Sequence, residues 1–270
     1  MKASVVGLDG RDVGEIELPM VFETPYRPEV IHKVYVNLLS HSYQRQGRYP
    51  AAGEMVSAQS RNTGLGIARV ARARGEGFPR AGQAAGVAGV RHGRVAHPPE
   101  PWKIIYKKIN QKERQLGLCS AIAVTARRDL ILRRGHKIGG KIKLPVVVSN
   151  EVESLAKTKD LIKALTQLGV GDDIARAINA RKARSGVGRR RGRPARSGTS
   201  ALIVVGNDSK LVMLSQSIPG VHIKHVREIS VLDLLPGSKP IRLTIFSRNA
   251  IEGMRNIQAP FHKVLEVIGK

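Results

Sequence analysis

Three kinds of residue are scarce in this chain of 270 residues: cysteine, aromatic residues and acidic residues. The single cysteine, Cys119, excludes an internal disulfide and a cysteine-rich zinc finger or ribbon. Aromatic residues make up 4%, which is little for a protein that reads bases by stacking or binds apolar ligands. The sequence has no apolar run near the ~20 residues of a membrane span, and no apolar block at its N-terminus. We therefore expect a soluble intracellular protein without a membrane partner.

The shortage of acids leaves a large positive charge. Lys and Arg number 46 and Asp and Glu 21, so the formal net charge is +25 at pH 7. In a compact fold such a surplus repels itself, and the partners that usually neutralise it are nucleic acids and anionic membranes. Hydrophobic residues still make up 41%, which is enough for a folded core. The composition therefore predicts a folded protein bound to nucleic acid.

The apolar pattern predicts the fold class. Residues 3–18 are typical of a β-hairpin with Asp9-Gly10 as its turn, and Asn110 with Glu113 has the spacing of a helical capping box. Short apolar strands that alternate with helices predict an α/β domain, a Rossmann-like arrangement of three layers with a mostly parallel sheet flanked by helices. The predicted strands are 145–149, 201–205, 221–226 and 241–246, and the predicted helices are 28–44, 110–134, 158–168, 172–183, 209–217 and 230–235.

Residues 45–103 do not fit this pattern. The segment has ten glycines and nine arginines against three glutamates, and its large apolar residues follow no sustained period. An insertion this long without regular structure is uncommon inside a compact domain and is usually functional or disordered. We predict an extended loop over 45–103, inserted in a globular domain of residues 1–44 and 104–258, that needs a partner surface to lie against. Its arginines are Arg45, Arg48, Arg61, Arg69, Arg72, Arg74, Arg80, Arg91 and Arg94.

A second basic segment covers residues 184–199. No acid lies between Asp173 and Asp208, whereas nine basic residues do, and the interspersed glycines and proline predict a flexible loop. Arginine pairs bidentately with phosphate and stacks on bases, so this composition favours nucleic acid over a merely solvated surface. The RNA-binding candidates in and next to this segment are Arg181, Lys182, Arg184, Arg189, Arg190, Arg191, Arg193 and Arg196. At the end of the chain, residues 259–270 are predicted to form a C-terminal tail.

The type of nucleic acid is also indicated. The sequence has no helix-turn-helix, zinc finger or basic zipper, and no aromatic motif of a single-strand RNA-binding sheet. Long irregular arms suit a large folded RNA with deep crevices better than a uniform duplex. The segments therefore favour RNA as the partner.

Motifs for catalysis, cofactors or metals are weak. The run Gly64-Leu-Gly66-Ile-Ala-Arg69 has arginine in place of the third glycine of a dinucleotide fingerprint and does not follow a strand. In 135–141 the spacing of a phosphate loop is present, but Ile142 replaces its Ser or Thr. His222 and His225 have no third metal ligand near them in sequence. We predict no catalytic residue, no metal and no cofactor.

Several long runs are specific enough to indicate a family. They read IARVARARGEGFPRAGQAAG, HGRVAHPPEPWKIIYKKINQKERQLGLCSAIAVTA, RKARSGVGRRRGRPARSG and LDLLPGSKPIRLTIFSRNAIE. Over nearly its whole length the chain resembles the fourth universal protein family of the large ribosomal subunit, in its archaeal and eukaryotic form.

This resemblance implies a structural, non-enzymatic constituent of the large ribosomal subunit in the cytoplasm, without a homo-oligomer. Its partners would be large-subunit rRNA, neighbouring large-subunit proteins and, where the loop tip helps to line the exit tunnel, the nascent peptide. The alternatives are an extraribosomal RNA-binding regulator or chaperone, and an α/β enzyme that acts on RNA. Carried over by position, residues 45–103 would be an RNA-penetrating loop. Its tip would be Gly75, Glu76, Gly77, Phe78, Pro79, Arg80 and Gly82.

Binding to RNA should fall steeply with salt, because each phosphate contact releases condensed counterions. About six to ten contacts imply a loss of ~10³–10⁵ in affinity between about 50 and 200 mM salt. Filter binding of a large-subunit rRNA fragment across this range would measure the slope. A flat response would contradict the electrostatic argument.

Overall fold

The chain folds into two units. The computed structural model describes residues 1–139, 142–206, 210–239 and 241–262. Met1–Leu39 and the chain from Lys107 on form the first unit, which we call the sheet unit, and Ser40–Tyr106 form the second, the insert unit.

The described regular elements include short ladders as well as the main sheet. In chain order the strands are β1 (Lys2–Val6), β2 (Asp12–Glu17), β3 (Ala58–Gln59), β4 (Arg72–Ala73), β5 (Val146–Val148), β6 (Lys182–Ala183), β7 (Ala195–Arg196), β8 (Leu202–Val205), β9 (His222–His225) and β10 (Thr244–Ser247). The α-helices are α1 (Pro28–Ser40), α2 (Gln111–Val124), α3 (Arg128–Arg134), α4 (Thr158–Gln167), α5 (Gly171–Asn179), α6 (Val187–Arg190), α7 (Val231–Leu234) and α8 (Arg248–Gly253).

The main sheet has the strand order β2-β1-β5-β10-β8-β9. Neighbouring strands from β1 to β9 in this order run parallel, and β2 pairs antiparallel with β1 at the edge as the second strand of the predicted hairpin. Strands β5, β8 and β10 are buried along their whole length, as is typical of the central strands of a parallel sheet covered on both faces. The predicted α/β class with a mostly parallel, helix-flanked sheet is confirmed.

Close packing fixes the helices on the sheet. Phe246 of β10 meets the ring of Phe22 edge to face, with ring centroids 5.8 Å apart. Gly117 lets α2 approach α1, because a Cβ there would lie 2.7 Å from Val34 Cγ2. Cys119 is buried among apolar side chains, and burial raises the pKa of its thiol to about 11. The cysteine is therefore a core residue, as its position on the apolar side of the helix suggests.

The helix predicted over 110–134 is two helices. The chain leaves helical geometry at Arg127, which has φ −94° and ψ 109° and separates α2 from α3. The predicted capping box is also wrong, because the Asn110 side chain makes no capping hydrogen bond. Glu113 instead accepts a hydrogen bond from Lys33 of α1 at 2.7 Å. A contact between helices has taken the place of a local cap.

Other predicted boundaries shift by a few residues. Helix α1 ends at Ser40 instead of residue 44, and α5 ends at Asn179 instead of residue 183. Strand β10 begins at Thr244 instead of residue 241, since Arg242 N donates to Leu234 O of α7 instead of a strand. The predicted helix 209–217 is a 3-10 helix over Lys210–Gln216, with 207–209 outside the described residues.

The sequence pattern did not predict α8, which Ser247 caps by accepting from Ala250 N at 3.0 Å. At the C-terminal end, a helical turn covers 260–262, and 263–270 lie outside the described residues. None of the helices in the described part of the chain combines the length and apolarity that a membrane span requires.

Trypsin should cut the free protein first within 41–106 and 181–196. None of residues 41–106 is buried, so this part of the chain can open without exposing a core. Lys112 and Arg114 are internal controls, because both are exposed but lie within α2. Mass spectrometry of the earliest fragments would identify the cuts. Early cleavage after the two α2 residues would contradict the expectation.

Candidate nucleic-acid interface

The second basic segment forms a small hairpin between α5 and β8. Strands β6 and β7 pair antiparallel, with Lys182 opposite Arg196, and Arg184 N donates to Pro194 O at 2.8 Å. A single helical turn, α6, forms the end of the hairpin. The segment is thus more regular than the loop that its sequence predicts, because glycines at either side of α6 adopt left-handed conformations and allow the reversal.

The basic side chains of this hairpin face outward. Arg184 is half-buried. The exposed members are Arg181, Lys182, Arg189, Arg190, Arg191, Arg193 and Arg196. A surface of this kind offers several planar guanidinium groups within a short stretch of chain, which suits the phosphates of a nucleic-acid backbone.

A buried carboxylate holds the root of the hairpin. Asp173, in the first turn of α5, is fully buried, and its Oδ2 accepts hydrogen bonds from Ser200 Oγ at 2.7 Å and His136 Nδ1 at 3.0 Å. Its Oδ1 accepts from Lys137 N at 3.0 Å and Arg176 Nε at 2.9 Å. Burial alone would raise the pKa of this carboxyl, but the side-chain donors hold it well below its usual range.

The same network connects the hairpin to two strands of the sheet. Arg176 Nη2 donates to Thr199 O at 2.7 Å, and Ser200 lies just before β8. Leu243, just before β10, donates from its backbone N–H to His136 Nε2 at 3.3 Å. Because Nε2 accepts this hydrogen bond, Nδ1 carries the proton that His136 donates to Asp173. The root is therefore fixed at the N-terminal ends of β8 and β10.

A buried arginine completes this end of the sheet. The Arg242 guanidinium donates to the carbonyl oxygens of Ser200, of Ala201 at 2.8 Å and of Gly220 at 2.5 Å. Burial lowers the pKa of Arg242 to about 10, so the group stays charged at neutral pH. Burial and this neighbouring charge lower the pKa of His222, and the ring nitrogen Nδ1 lies 3.1 Å from Arg242 Nη1.

In the insert unit, some arginines hold their own backbone. Arg48 Nη1 donates to Ala52 O at 2.7 Å, and Arg72 Nη1 donates to Gly82 O at 3.1 Å. Both side chains are half-buried. These guanidinium groups act as internal fasteners in a unit that has almost no apolar core.

Two further arginines of the insert unit also have partners within it. Arg80 Nη2 donates to Arg91 O at 3.1 Å, and Arg94 Nε lies 3.6 Å from Glu54 Oε1. A guanidinium has five donor hydrogens, so one such contact leaves donors for phosphate. The arginines exposed on this unit are Arg45, Arg61, Arg69, Arg74, Arg80 and Arg91.

The predicted loop tip is the end of a second hairpin. Ala73 N donates to Gln83 O at 2.9 Å and Gly82 N donates to Ala73 O at 3.1 Å, so the chain reverses between them. Gly75 and Gly77 have φ of 98° and 80°, which a residue with a side chain rarely adopts. Among the tip residues, Gly82 is half-buried, and the exposed ones are Gly75, Glu76, Gly77, Phe78, Pro79 and Arg80.

At the opposite end of the sheet, where the strands have their carboxyl ends, a side chain bonds to the ends of two of the strands. Open α/β sheets bind their ligands outside the carboxyl ends of the strands. Here the Glu153 carboxylate occupies that edge and accepts hydrogen bonds from Gly206 N at 2.8 Å, Ser247 Oγ at 2.6 Å and Asn249 Nδ2 at 3.1 Å. Gly206 follows β8 and Ser247 ends β10. The half-buried Glu153 side chain thus joins the ends of β8 and β10 at the end of the sheet where ligands usually bind.

The glycine-rich runs and histidines that weakly resemble cofactor or metal motifs do not form a binding site in the described residues. Gly64 and Gly66 lie in the insert unit outside any strand or helix, and the end of the phosphate-loop run, residues 140 and 141, lies outside the described residues. His225 Nε2 contacts Gly206 O at 2.6 Å. In the described part of the chain, no group of three or more His, Cys, Asp or Glu side chains has the arrangement of a metal site.

Known proteins match nearly the whole chain. The sequence model of the ribosomal protein L4/L1 family covers residues 16–257. The chain belongs to this family. The large ribosomal subunit protein uL4 of Methanocaldococcus jannaschii is 38% identical over 94% of this chain and 98% of its own. The uL4 protein of Methanococcus vannielii is 41% identical over 94% of this chain and 99% of its own. That of Pyrobaculum aerophilum is 38% identical over 95% of this chain and 90% of its own. The resemblance in its archaeal form is thus confirmed.

The buried polar groups that root the hairpin were not predicted from the sequence. The pattern predicts a helix that begins at Asp172, but α5 begins at Gly171 after the N-cap Val170, and Asp173 is turned into the interior. The pattern also places Arg242 within an apolar strand. A charged residue inside a mostly apolar run is the signal that could have found it, since such a charge requires buried partners.

Replacing Asp173 with Asn should destabilise the protein by ~3–5 kcal/mol at neutral pH, since it breaks a buried charged network. The folded-state pKa of Asp173 lies below its unfolded value of ~3.9, so the carboxylate stabilises the fold above that value and the stabilisation is lost as pH falls. Urea unfolding of wild type and D173N should therefore give a difference that is constant from about pH 7 to about pH 5 and shrinks as the pH falls below about 4.

The control for this experiment is Asp172→Asn. Asp172 is exposed in the same helical turn, so its loss should cost at most about 1 kcal/mol. Equal losses in the two variants, or a D173N difference independent of pH, would contradict the role assigned to the buried carboxylate.

Proposed function

We propose that this chain is a structural constituent of the large ribosomal subunit that binds large-subunit rRNA. The observation that carries the proposal is the rooted hairpin Lys182–Arg196. All of its arginines except the half-buried Arg184 are exposed, no acid accompanies them in sequence, and a buried network fixes its base to the sheet. Because the chain belongs to a family of ribosomal proteins, the partner of this surface would be rRNA.

The chemistry of the hairpin suits an RNA backbone. Each exposed arginine can clamp a phosphate with two parallel N–H donors. Because the root is part of the folded sheet unit, less conformational entropy is lost on binding than for an unanchored tail. The exposed arginines of the insert unit extend the same chemistry to a second segment, which we propose lies against rRNA.

The loop tip has a different composition and, we propose, a different contact. Its exposed Gly75 and Gly77 present bare backbone, to which a passing peptide would adhere little, between the larger side chains of the tip. This supports the tip as a part of the wall of the nascent-peptide exit tunnel. Neighbouring large-subunit proteins and the nascent peptide would be its other partners.

In this role the chain works within cytoplasmic ribosomes, as one copy per large subunit and not as a homo-oligomer. Its function is structural instead of enzymatic, in keeping with its family. The carboxylate of Glu153 at the carboxyl edge of the sheet supports the same conclusion, since it fills the place where an α/β enzyme usually binds its ligand.

The tagged protein should sediment with the large subunit at one copy each through a sucrose gradient at high salt. Arg189→Gln with Arg190→Gln should weaken this association, and in purified form it should lower the slope of log affinity against log salt. The slope should decrease by about 0.7–0.9 for each phosphate that the variant no longer neutralises.

The matched control is Lys159→Gln with Lys163→Gln, which removes the same charge from exposed positions on α4. It should sediment like the wild type. A substantial pool of wild-type protein at the top of the gradient would favour the extraribosomal regulator instead. Equal effects of the two double variants would show that net charge, and not the hairpin, determines binding.

A further inference from the structure

The aromatic side chains are divided between the two units by their exposure. In the sheet unit Phe22 and Phe246 are buried, and the remaining aromatic residues, Tyr26, Tyr35 and Phe261, are half-buried. In the insert unit every phenylalanine, tyrosine and tryptophan is exposed, by at least 40%: Tyr43 57%, Tyr49 62%, Phe78 42%, Trp102 63% and Tyr106 40%. Half of the aromatic residues of a chain poor in them thus face outward on one unit.

Four of these five residues lie on two runs of chain that lie side by side. We call residues 41–49 and 101–106 the stalk. The rings of His41 and Tyr106 meet edge to face with centroids 5.6 Å apart. Further along, Gly47 packs against Pro101, because a Cβ on the glycine would lie 2.7 Å from the proline ring. The two contacts show that the runs are antiparallel, and they bring Tyr43, Tyr49 and Trp102 onto one short structure.

The stalk is basic as well as aromatic. It contains Arg45, Arg48 and Lys103, and neither of its two runs contains an aspartate or glutamate. Arg45 and Lys103 are exposed, and the hydrogen bond from Arg48 to Ala52 O leaves other donor hydrogens on that guanidinium. Both runs therefore contain cations close in sequence to aromatic rings.

This combination of cations and aromatic rings favours RNA over an apolar protein partner. An apolar interface would have to desolvate the interleaved cations, which costs free energy unless each one finds a counter-charge. RNA supplies both requirements, since its phosphates neutralise cations and the faces of its unpaired bases stack on aromatic rings. Paired bases in a duplex keep their faces covered.

We infer that the stalk binds unpaired nucleotides of RNA, with bases stacked on Trp102, Tyr49 and Tyr43 and the adjacent phosphates held by Arg45, Arg48 and Lys103. This inference rests on the proposed binding to rRNA and specifies one part of it. It assigns base stacking to the stalk, whereas the hairpin Lys182–Arg196 binds the backbone by charge.

The single tryptophan of the chain makes the contact measurable. Trp102 lies in the stalk, so the intrinsic tryptophan fluorescence of the full-length protein reports on this site alone. An unstructured oligouridylate should quench this fluorescence on binding. A fully paired RNA duplex with the same number of phosphates should bind through charge and leave the fluorescence nearly unchanged.

Variants separate stacking from other contacts. Trp102→Ala should weaken oligouridylate binding about 5- to 150-fold, measured with labelled RNA, whereas Trp102→Phe should retain most of the affinity. The salt slope of W102A should equal that of the wild type, because this change leaves every cation in place. Ile104→Ala is the matched control, since Ile104 is 67% exposed on the same run but has no aromatic face.

The outcomes distinguish this inference from the proposed function. If the protein binds neither RNA, the proposed function fails. If it binds both RNAs while tryptophan fluorescence and the W102A affinity stay unchanged, RNA binding stands and the stacking site is overturned. If I104A weakens binding as much as W102A, the contact is a general apolar one and the inference is again overturned.

Discussion

The buried carboxylate of Asp173 is the interaction on which the arrangement of this protein depends. Four donors from three parts of the chain converge on it, and together they fix α5, the start of β8 and, through His136, the start of β10. The chain has 46 Lys and Arg residues but only 21 Asp and Glu residues. A carboxylate in the interior accepts hydrogen bonds from buried donors, and it does not compete with phosphate for the cations at the surface.

Acidic side chains also join elements of the sheet unit elsewhere. Glu153 ties the carboxyl ends of β8 and β10, Asp233 forms a capping box with Ser230 at the start of α7, and Glu113 joins α2 to Lys33 of α1. The insert unit, with few acids and no buried residue in 41–106, uses arginine for the same purpose and bonds it to backbone carbonyls. Exposed positive charge is thus held in place in two ways. In the sheet unit a buried carboxylate fixes the root of the hairpin, and in the insert unit arginines bond to backbone carbonyls of the same unit.

The fold class and the family could be predicted because they depend on local pattern and on long specific runs. All-apolar strands such as Val146–Val148 and Leu202–Val205 indicate a parallel sheet before any contact is known. Helix ends were predicted less well, because tertiary contacts decide them. Glu113 is bonded to another helix instead of capping its own, and the main chain of Arg242 is bonded to α7. The division of arginines into fasteners and exposed groups follows from long-range geometry, so charge counting alone cannot provide it.

An average composition conceals how residues are distributed, and the aromatic residues show this most clearly. At 4% of the chain they argue against base stacking when they are spread evenly. The sheet unit, however, needs few aromatic residues, because its core is built mainly from aliphatic strands and helices with Phe22 and Phe246 among them. The insert unit has no core to fill, so its exposed Tyr43, Tyr49 and Trp102 are not explained by packing. Large exposed rings beside cations gain more free energy when a partner covers both, and an RNA with unpaired bases has the chemistry to do so.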